Sequence, residues 1–223
     1  MTTLAFDVYG TLIDTAGVVV ALRQKVGAKA DAASELWRSK QLEYSFRRGL
    51  MQNYRDFSVC TRQALDYVCA ALQLPLAQSE REDLLAGYRS LPAFADVRTG
   101  LEACRSAGFK LYAFSNGRPD EVQSLLEQAG IRNFFLDLVS TAEISSFKPN
   151  PGVYANFLRR AGATGAEAWL ISGNPFDVIG AISAGMRGAW IQRNPATIFD
   201  PWEITPTLSL SSLGQLAAAI QGA

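Results

Sequence analysis

Nine residues near the start, Leu4-Ala5-Phe6-Asp7-Val8-Tyr9-Gly10-Thr11-Leu12, restrict the fold more than any other stretch of the chain. A short apolar run breaks at an acidic residue, an aromatic one and then a glycine. An apolar run of this kind reads as a strand buried on both faces, as in a parallel sheet. In such sheets ligands sit beyond the carboxyl ends of the strands, where Asp7 emerges. A carboxylate there is costly to desolvate, so it needs a partner or a function. Gly10 permits a tight turn, and Thr11 offers a hydroxyl that can point back at the carboxylate. The structural alternative is that Asp7 caps the turn that follows.

Beyond Asp14 the pattern becomes helical and stays so to about Tyr88. Residues 31–48 contain neither Gly nor Pro and are rich in helix formers. Arg38, Leu42 and Phe46 recur at i, i+4 and i+8 and share a face, so Arg38 either snorkels or faces a pocket that holds an anion. Phe57, Thr61, Ala64, Leu65, Val68 and Leu72 line a face of the next helix, which Leu74-Pro75 ends. Residues 15–92 therefore read as a helical insertion, a cap over the strand ends, with Leu91-Pro92 as the return hinge.

From Ala93 onward helix and strand alternate, the signature of a doubly wound α/β core. The expectation is a Rossmann-like parallel sheet built from residues 1–14 and 93–223, with the cap inserted after the first strand at 15–92. Strands are expected at 109–114, 134–139, 169–171 and 189–191, and a last strand and helix within 208–220. The second strand runs into Ser115-Asn116-Gly117 before a helix opened by Pro119, a place where a hydroxyl, an amide and free N–H groups can hold an anion. Lys148 precedes Pro149 in an extended loop, with Tyr154 six residues on. The fourth strand ends in Ser172-Gly173-Asn174-Pro175-Phe176-Asp177.

Composition narrows the chemistry. The 223 residues contain no histidine, which removes Ser-His-Asp and Cys-His catalysis and histidine-ligated zinc. Acid–base work falls to carboxylates, lysine or tyrosine. Lys plus Arg and Asp plus Glu both number 21, so bulk charge gives no reason to expect nucleic acid or membrane partners. Three cysteines without metal-type pairing suit a reducing compartment. The first residues lack a signal-type pattern, and no run approaches the ~20 apolar residues of a membrane span. A cytoplasmic protein is expected.

The Leu4–Leu12 segment resembles the first motif of the haloacid dehalogenase superfamily, whose members use the aspartate as a nucleophile. Most are phosphatases with a second aspartate two residues on; here that position is Tyr9. A tyrosine, with a pKa near ~10, does not replace a carboxylate in Mg²⁺-assisted proton transfer. Four polar clusters then match the L-2-haloacid dehalogenases across nearly the whole chain. Asp7 to Thr11 corresponds to that group's Asp-x-Tyr-Gly-Thr, and Leu36 to Tyr44 to the cap-helix stretch that carries its arginine, here Arg38. Ser115-Asn116, Lys148 with Tyr154, and Ser172, Asn174 and Asp177 complete the pattern. An acidic residue that phosphatases need near Ser172 is missing, which with Tyr9 removes a metal cradle. Ser39 stands where glutamine is often found and Phe176 where tryptophan is, which bears on pocket size and halide preference.

The resemblance implies a hydrolase that converts (S)-2-haloalkanoic acids into (R)-2-hydroxy acids and halide. Asp7 is the implied nucleophile, forming an ester with inversion at C2, with no metal and no cofactor. Thr11, Arg38, Ser115, Lys148, Tyr154, Ser172, Asn174 and Asp177 are the other expected catalytic residues. Lys148 and the Ser115 region would offset the substrate carboxylate, and Arg38, Asn116 and the face of Phe176 would receive the halide. Asp177, steered by Asn174, would activate water for ester hydrolysis. Tyr9, Leu42 and Phe57 would complete the binding pocket, Tyr9 and Phe57 excluding bulk water. The expected partner is a small 2-halo carboxylic acid, and the family is often a homodimer. The competing activities are a phosphatase or phosphonate hydrolase of the same superfamily, and a capped binder of small acids without turnover.

Overall fold

Strand β1 (Thr3–Phe6) is buried at all four positions and lies between two other parallel strands. The computed structural model describes residues 1–223. The chain continues with helices α1 (Ala16–Val26), α2 (Ala30–Leu50), α3 (Phe57–Ala71) and α4 (Gln78–Gly87). It then alternates through α5 (Val97–Ser106), β2 (Lys110–Ser115), α6 (Pro119–Gln128), β3 (Asp137–Ser140) and α7 (Pro151–Ala161). It closes with β4 (Ala168–Ser172), α8 (Pro175–Ser183), β5 (Arg187–Ile191), β6 (Leu208–Leu210) and α9 (Leu216–Gln221). The six strands are all parallel in the order β3-β2-β1-β4-β5-β6. This is the doubly wound α/β architecture read from the sequence.

The period of two along each strand distributes the core between the sheet faces. Leu4 and Phe6, Ala113, and Trp169 and Ile171 point to the side of Val97, Leu101, Val122, Leu125, Leu216 and Ile220, from α5, α6 and α9. Ala5, Phe114, Val139 and Leu170 point to the other side, against Tyr154, Phe157 and Ala181 of α7 and α8. Each large side chain buried this way contributes about 1.5–3 kcal/mol relative to exposure. The strand order reverses at β1, with β2 on one side and β4 on the other. That opens a crevice beyond the carboxyl ends of these strands.

Helices α1 to α4 leave the sheet after β1 and return before α5. Their exit and return are tied together: the Asp14 N–H donates to the Pro92 carbonyl at 2.8 Å and the Phe94 N–H to the Leu12 carbonyl at 3.0 Å. Within the insertion, the Trp37 indole of α2 donates to the Thr61 carbonyl of α3 at 2.8 Å. The buried face of α3 carries Cys60 and Cys69 beside Phe57, Thr61, Ala64, Leu65 and Val68. Leu72 lies just past the helix end, before Gln73 takes a left-handed conformation (φ 50°).

One boundary differs from expectation. β3 starts at Asp137, not 134, because Arg132–Phe134 form a single 3-10 turn. The Phe134 ring there receives the guanidinium groups of Arg98 and Arg105, 5.7 and 5.4 Å from its centroid. All three cysteines are free and buried; burial pushes the Cys104 thiol up to about 12 and raises Cys60 and Cys69. No helix is long and apolar enough to cross a membrane.

Candidate active site

Asp7 follows β1 directly, its N–H held by the Ile171 carbonyl of β4 at 2.9 Å. The chain then turns sharply: N–H groups of Leu12 and Ile13 fold back on the Val8 carbonyl (3.0 and 2.9 Å) while Gly10 takes φ +78°. This turn returns the Thr11 hydroxyl to Asp7. The neighbouring strand end must approach closely, and Gly173 allows it, since a Cβ there would lie 2.5 Å from the Gly10 carbonyl oxygen.

Asp7 Oδ2 accepts three hydrogen bonds, from Thr11 Oγ1 (2.7 Å), Asn174 Nδ2 (2.8 Å) and Ser172 Oγ (3.3 Å). Oδ1 accepts only from Lys148 Nζ, at 3.1 Å. The two oxygens are therefore unequal: one is fixed from three directions, the other is engaged by a single cation. Thr11 is itself oriented by the Gly173 N–H, which donates to its hydroxyl at 2.8 Å. Arg193 donates to the Thr11 carbonyl at 2.6 Å and is held by Asp96, whose carboxylate also receives the Ser212 hydroxyl and the Leu213 N–H.

Lys148 is not solvated, as a loop lysine before proline commonly is; it is 1% exposed. Its ammonium spends its three protons on Asp7 Oδ1, Asp177 Oδ2 (2.8 Å) and the Phe114 carbonyl (2.9 Å). Burial alone would lower its pKa, but the charges of Asp177 and Asp7 reverse that and raise it above the usual lysine value. Asp177 is fully buried, and burial, with the charge of Asp7, raises its pKa against the pull of Lys148. Its Oδ1 accepts from the Tyr154 hydroxyl at 2.8 Å. Burial beside Asp177 raises the Tyr154 phenol well above its normal value, so it remains a donor.

From the helical insertion, Arg38 on α2 reaches across: Nη2 donates to Asn174 Oδ1 at 3.1 Å and Nη1 to Gln41 Oε1 at 2.8 Å. Burial lowers its pKa, with Tyr88 and Asp7 opposing. Gln41 is buried and donates to the Thr61 hydroxyl at 2.6 Å, so α3 fixes Gln41 and Gln41 fixes Arg38. Neither Gln41 nor Thr61 is among the site residues that the sequence pattern points to. The available signal was the buried stripe of α2, where Trp37, Gln41 and Ser45 follow at i, i+4 and i+8. A polar side chain on such a stripe needs partners.

Asp7, Tyr9, Arg38, Leu42, Phe57, Ser115, Asn116, Lys148, Asn174 and Phe176 enclose one small pocket of about 20 Å³. Its wall contains a single carboxylate, Asp7. Asn116 uses Oδ1 to accept the Lys148 N–H (2.9 Å) and the Thr141 hydroxyl (3.3 Å), which leaves its amide nitrogen for the pocket. The Ser115 hydroxyl accepts the Gly117 N–H at 3.1 Å, and Tyr9 and Phe57 rings lie 6.4 Å apart. Thr11, Ser172, Asp177 and Tyr154 stand behind this wall. One expected contact is corrected: the Asn174 side chain makes no hydrogen bond to the Asp177 carboxylate, although the Asp177 N–H donates to the Asn174 carbonyl at 3.1 Å. The Asn174 amide is committed to Asp7 and Arg38, while Lys148 and Tyr154 hold Asp177.

A family model described as haloacid dehalogenase-like hydrolase matches residues 1–185. The chain is 35% identical over 213 residues to (S)-2-haloacid dehalogenase 2 of Pseudomonas sp. (strain CBS-3), covering 96% of this chain and 93% of that protein. It is 35% identical over 190 residues to haloacetate dehalogenase H-2 of Moraxella sp. (strain B), covering 85% of each. Among solved structures it is similar to the L-2-haloacid dehalogenase of Xanthobacter autotrophicus with chloropropionic acid covalently bound. That likeness has a TM-score of 0.92 at 30% identity, covering 100% of this chain and 99% of the other.

Proposed function

The chain belongs to the haloacid dehalogenase-like hydrolases, and within them we propose that it is a 2-haloacid dehalogenase acting on the (S) enantiomer through an ester on Asp7. The observation that carries this is the pocket wall: Asp7 is its only carboxylate, and it faces two cations, Lys148 and Arg38. A phosphatase using a metal would need a second carboxylate there, where Tyr9 stands. An anionic substrate, by contrast, needs cations to offset its repulsion by Asp7.

Asp7 Oδ1 attacks C2 from the side opposite the halogen, the carbon–halogen bond breaks with its electron pair on the halide, and C2 inverts. Oδ2 becomes the ester carbonyl oxygen, still facing Thr11, Asn174 and Ser172. Those donors then stabilise the oxyanion that forms when water adds to the Asp7 carboxyl carbon. Asp177, held by Lys148 and Tyr154, takes the water proton once esterification has removed the charge of Asp7. Tyr154 holds Asp177 in place. Ser115 and Lys148 bind the substrate carboxylate; Asn116, Arg38 and the Phe176 ring receive the halide; Tyr9, Leu42 and Phe57 limit water. Helices α1 to α4 act as a cap, residues 15–92, over a core of 1–14 and 93–223. The buried, unpaired cysteines fit a cytoplasmic protein, and a homodimer is the assembly we expect.

The test is halide release from the separate enantiomers of 2-chloropropionate, with and without chelator. (S)-2-chloropropionate should give (R)-lactate at an unchanged rate with chelator present. A strict Mg²⁺ requirement or release of the (S) product would end the proposal.

The role given to Arg38 predicts a contrast along α2. Arg38→Lys keeps the charge but loses the planar fork that bridges Asn174 and Gln41. Its kcat should fall roughly 10²-fold or more, the scale of losing an oriented donor at a developing charge. Arg47→Lys, whose partner is Glu43 on the exposed side of the same helix, should change kcat less than about two-fold. Equally small effects would mean that Arg38 only ties α2 to Asn174 and takes no part in turnover.

A further inference from the structure

We propose that an apolar chamber beside the reaction pocket receives the alkyl tail of longer 2-haloalkanoic acids, which passes along the Phe46–Phe176 pair that lies between them. The proposal rests on the dehalogenase reading. The pocket at Asp7 is small, with about 20 Å³ of interior, and Leu42 and Phe176 form part of its wall. The chamber on the far side of Phe176 has about 570 Å³. Phe176 and Lys148 line both spaces, which makes them adjoining rooms. The Phe46 and Phe176 rings meet edge-to-face at 5.1 Å and 68°, forming the partition.

A single face of α2 leads from one space to the other. Arg38 and Leu42 face the pocket; Phe46 and Leu50, the next positions at four-residue spacing, face the chamber. At 1.5 Å per residue, Leu42 to Leu50 spans about 12 Å, enough for several methylenes in line. The opposite wall is α8, with Ile179 and Ser183 one turn apart. The Lys148 ammonium is already committed to Asp7, Asp177 and the Phe114 carbonyl, so it offers the chamber no charge. The other ionisable lining group is Asp200, an acid that would repel a second carboxylate. The polar end of a 2-halo acid must remain with Lys148 and Arg38. Its tail then leaves past Leu42 and Phe176 into a space lined by Phe46, Leu50, Phe147 and Ile179. Leu50 is 87% exposed, so a tail lying on it takes apolar surface out of water on both sides.

The experiment measures kcat/KM for 2-bromopropionate, 2-bromobutanoate, 2-bromohexanoate and 2-bromooctanoate with the wild type, Leu50→Asp and Ser183→Phe. Both substitutions alter the far end of the chamber, away from the groups that hold Asp7. In the wild type kcat/KM should rise with chain length, by up to about four-fold per methylene buried. In both variants 2-bromopropionate should be unaffected and the rise beyond four carbons should vanish. A wild-type profile that falls beyond four carbons, or one that is the same in all three proteins, overturns the proposal and leaves the dehalogenase reading intact. No turnover of any member overturns both. If Leu50→Asp spares the profile but converts a dimer to a monomer in sedimentation, a second copy of the chain covers the chamber, and the proposal is wrong.

Discussion

A single turnover in H₂¹⁸O, with enzyme in excess, should put the label into Asp7 and leave the 2-hydroxy acid unlabelled. The reason lies in which bond each oxygen makes. Asp7 Oδ1 becomes the new C2 oxygen, and water then adds to the carboxyl carbon of the ester. When the bond between that carbon and Oδ1 breaks, Oδ1 departs as the product hydroxyl and the water oxygen stays in the aspartate. Later turnovers draw on the labelled carboxylate, so multiple turnovers should label product. Asp7→Asn should lower turnover by about 10⁴-fold or more, since an amide is a poor nucleophile and removal of a nucleophile has effects of this size. The fold should survive, because Lys148 keeps Asp177 and the Phe114 carbonyl as partners. A melting curve close to that of the wild type separates lost chemistry from lost structure. Asp177→Asn should slow the second step, so that an Asp7 adduct accumulates and is seen as added mass on the intact protein. Label in the product of the first turnover, with none in the Asp7 peptide, would mean that water attacks C2 directly and that no ester forms.

The polar residues that follow strands are the ones a linear reading finds. Asp7, Ser115, Asn116, Ser172 and Asn174 each interrupt an apolar run, and a parallel sheet sends every such break to one edge. Thr11 belongs to the same turn as Asp7 and is equally local. Lys148 is different. Nothing in Phe147-Lys148-Pro149 announces burial, because its acceptors are supplied from 141, 34 and 29 residues away and converge only in the folded chain. The division of labour between Asn174 and Asp177 is hidden for a related reason. Both follow β4 within one turn, yet the start of α8 points Asp177 beneath the sheet edge toward Tyr154 while Asn174 stays above it beside Asp7. Gln41 shows the limit of face periodicity. Its place on α2 is plain, but its use depends on Thr61 of another helix and on which way Arg38 turns.

Replacing that lysine should damage stability as much as chemistry, and the damage should depend on pH. Lys148→Met leaves Asp177, fully buried, and Asp7, 8% exposed, without the cation between them. Removing one partner of a buried ion pair costs about 3–5 kcal/mol. For a chain of this size, at ~2–4 °C per kcal/mol, the melting temperature should fall by roughly 6–20 °C. In the wild type the folded pKa of Lys148 is raised. Its contribution is therefore complete below the unfolded value of about 10.4 and is lost only as pH climbs through the higher folded one, so it is constant between pH 5 and 8. In the variant Asp177 keeps the burial that already raises its pKa and loses the cation that opposed it. A carboxyl whose folded pKa lies above its unfolded value of about 3.9 favours the fold below that value and loses the advantage as pH rises through the folded pKa. The gap in melting temperature between variant and wild type should therefore widen from pH 5 to pH 8. Adding Asp177→Asn to Lys148→Met should recover part of the loss, because an amide can keep the Tyr154 hydrogen bond without burying a charge. A gap that stays the same across this range, together with a double variant no more stable than Lys148→Met, would show that the lysine acts there by packing and not by its charge.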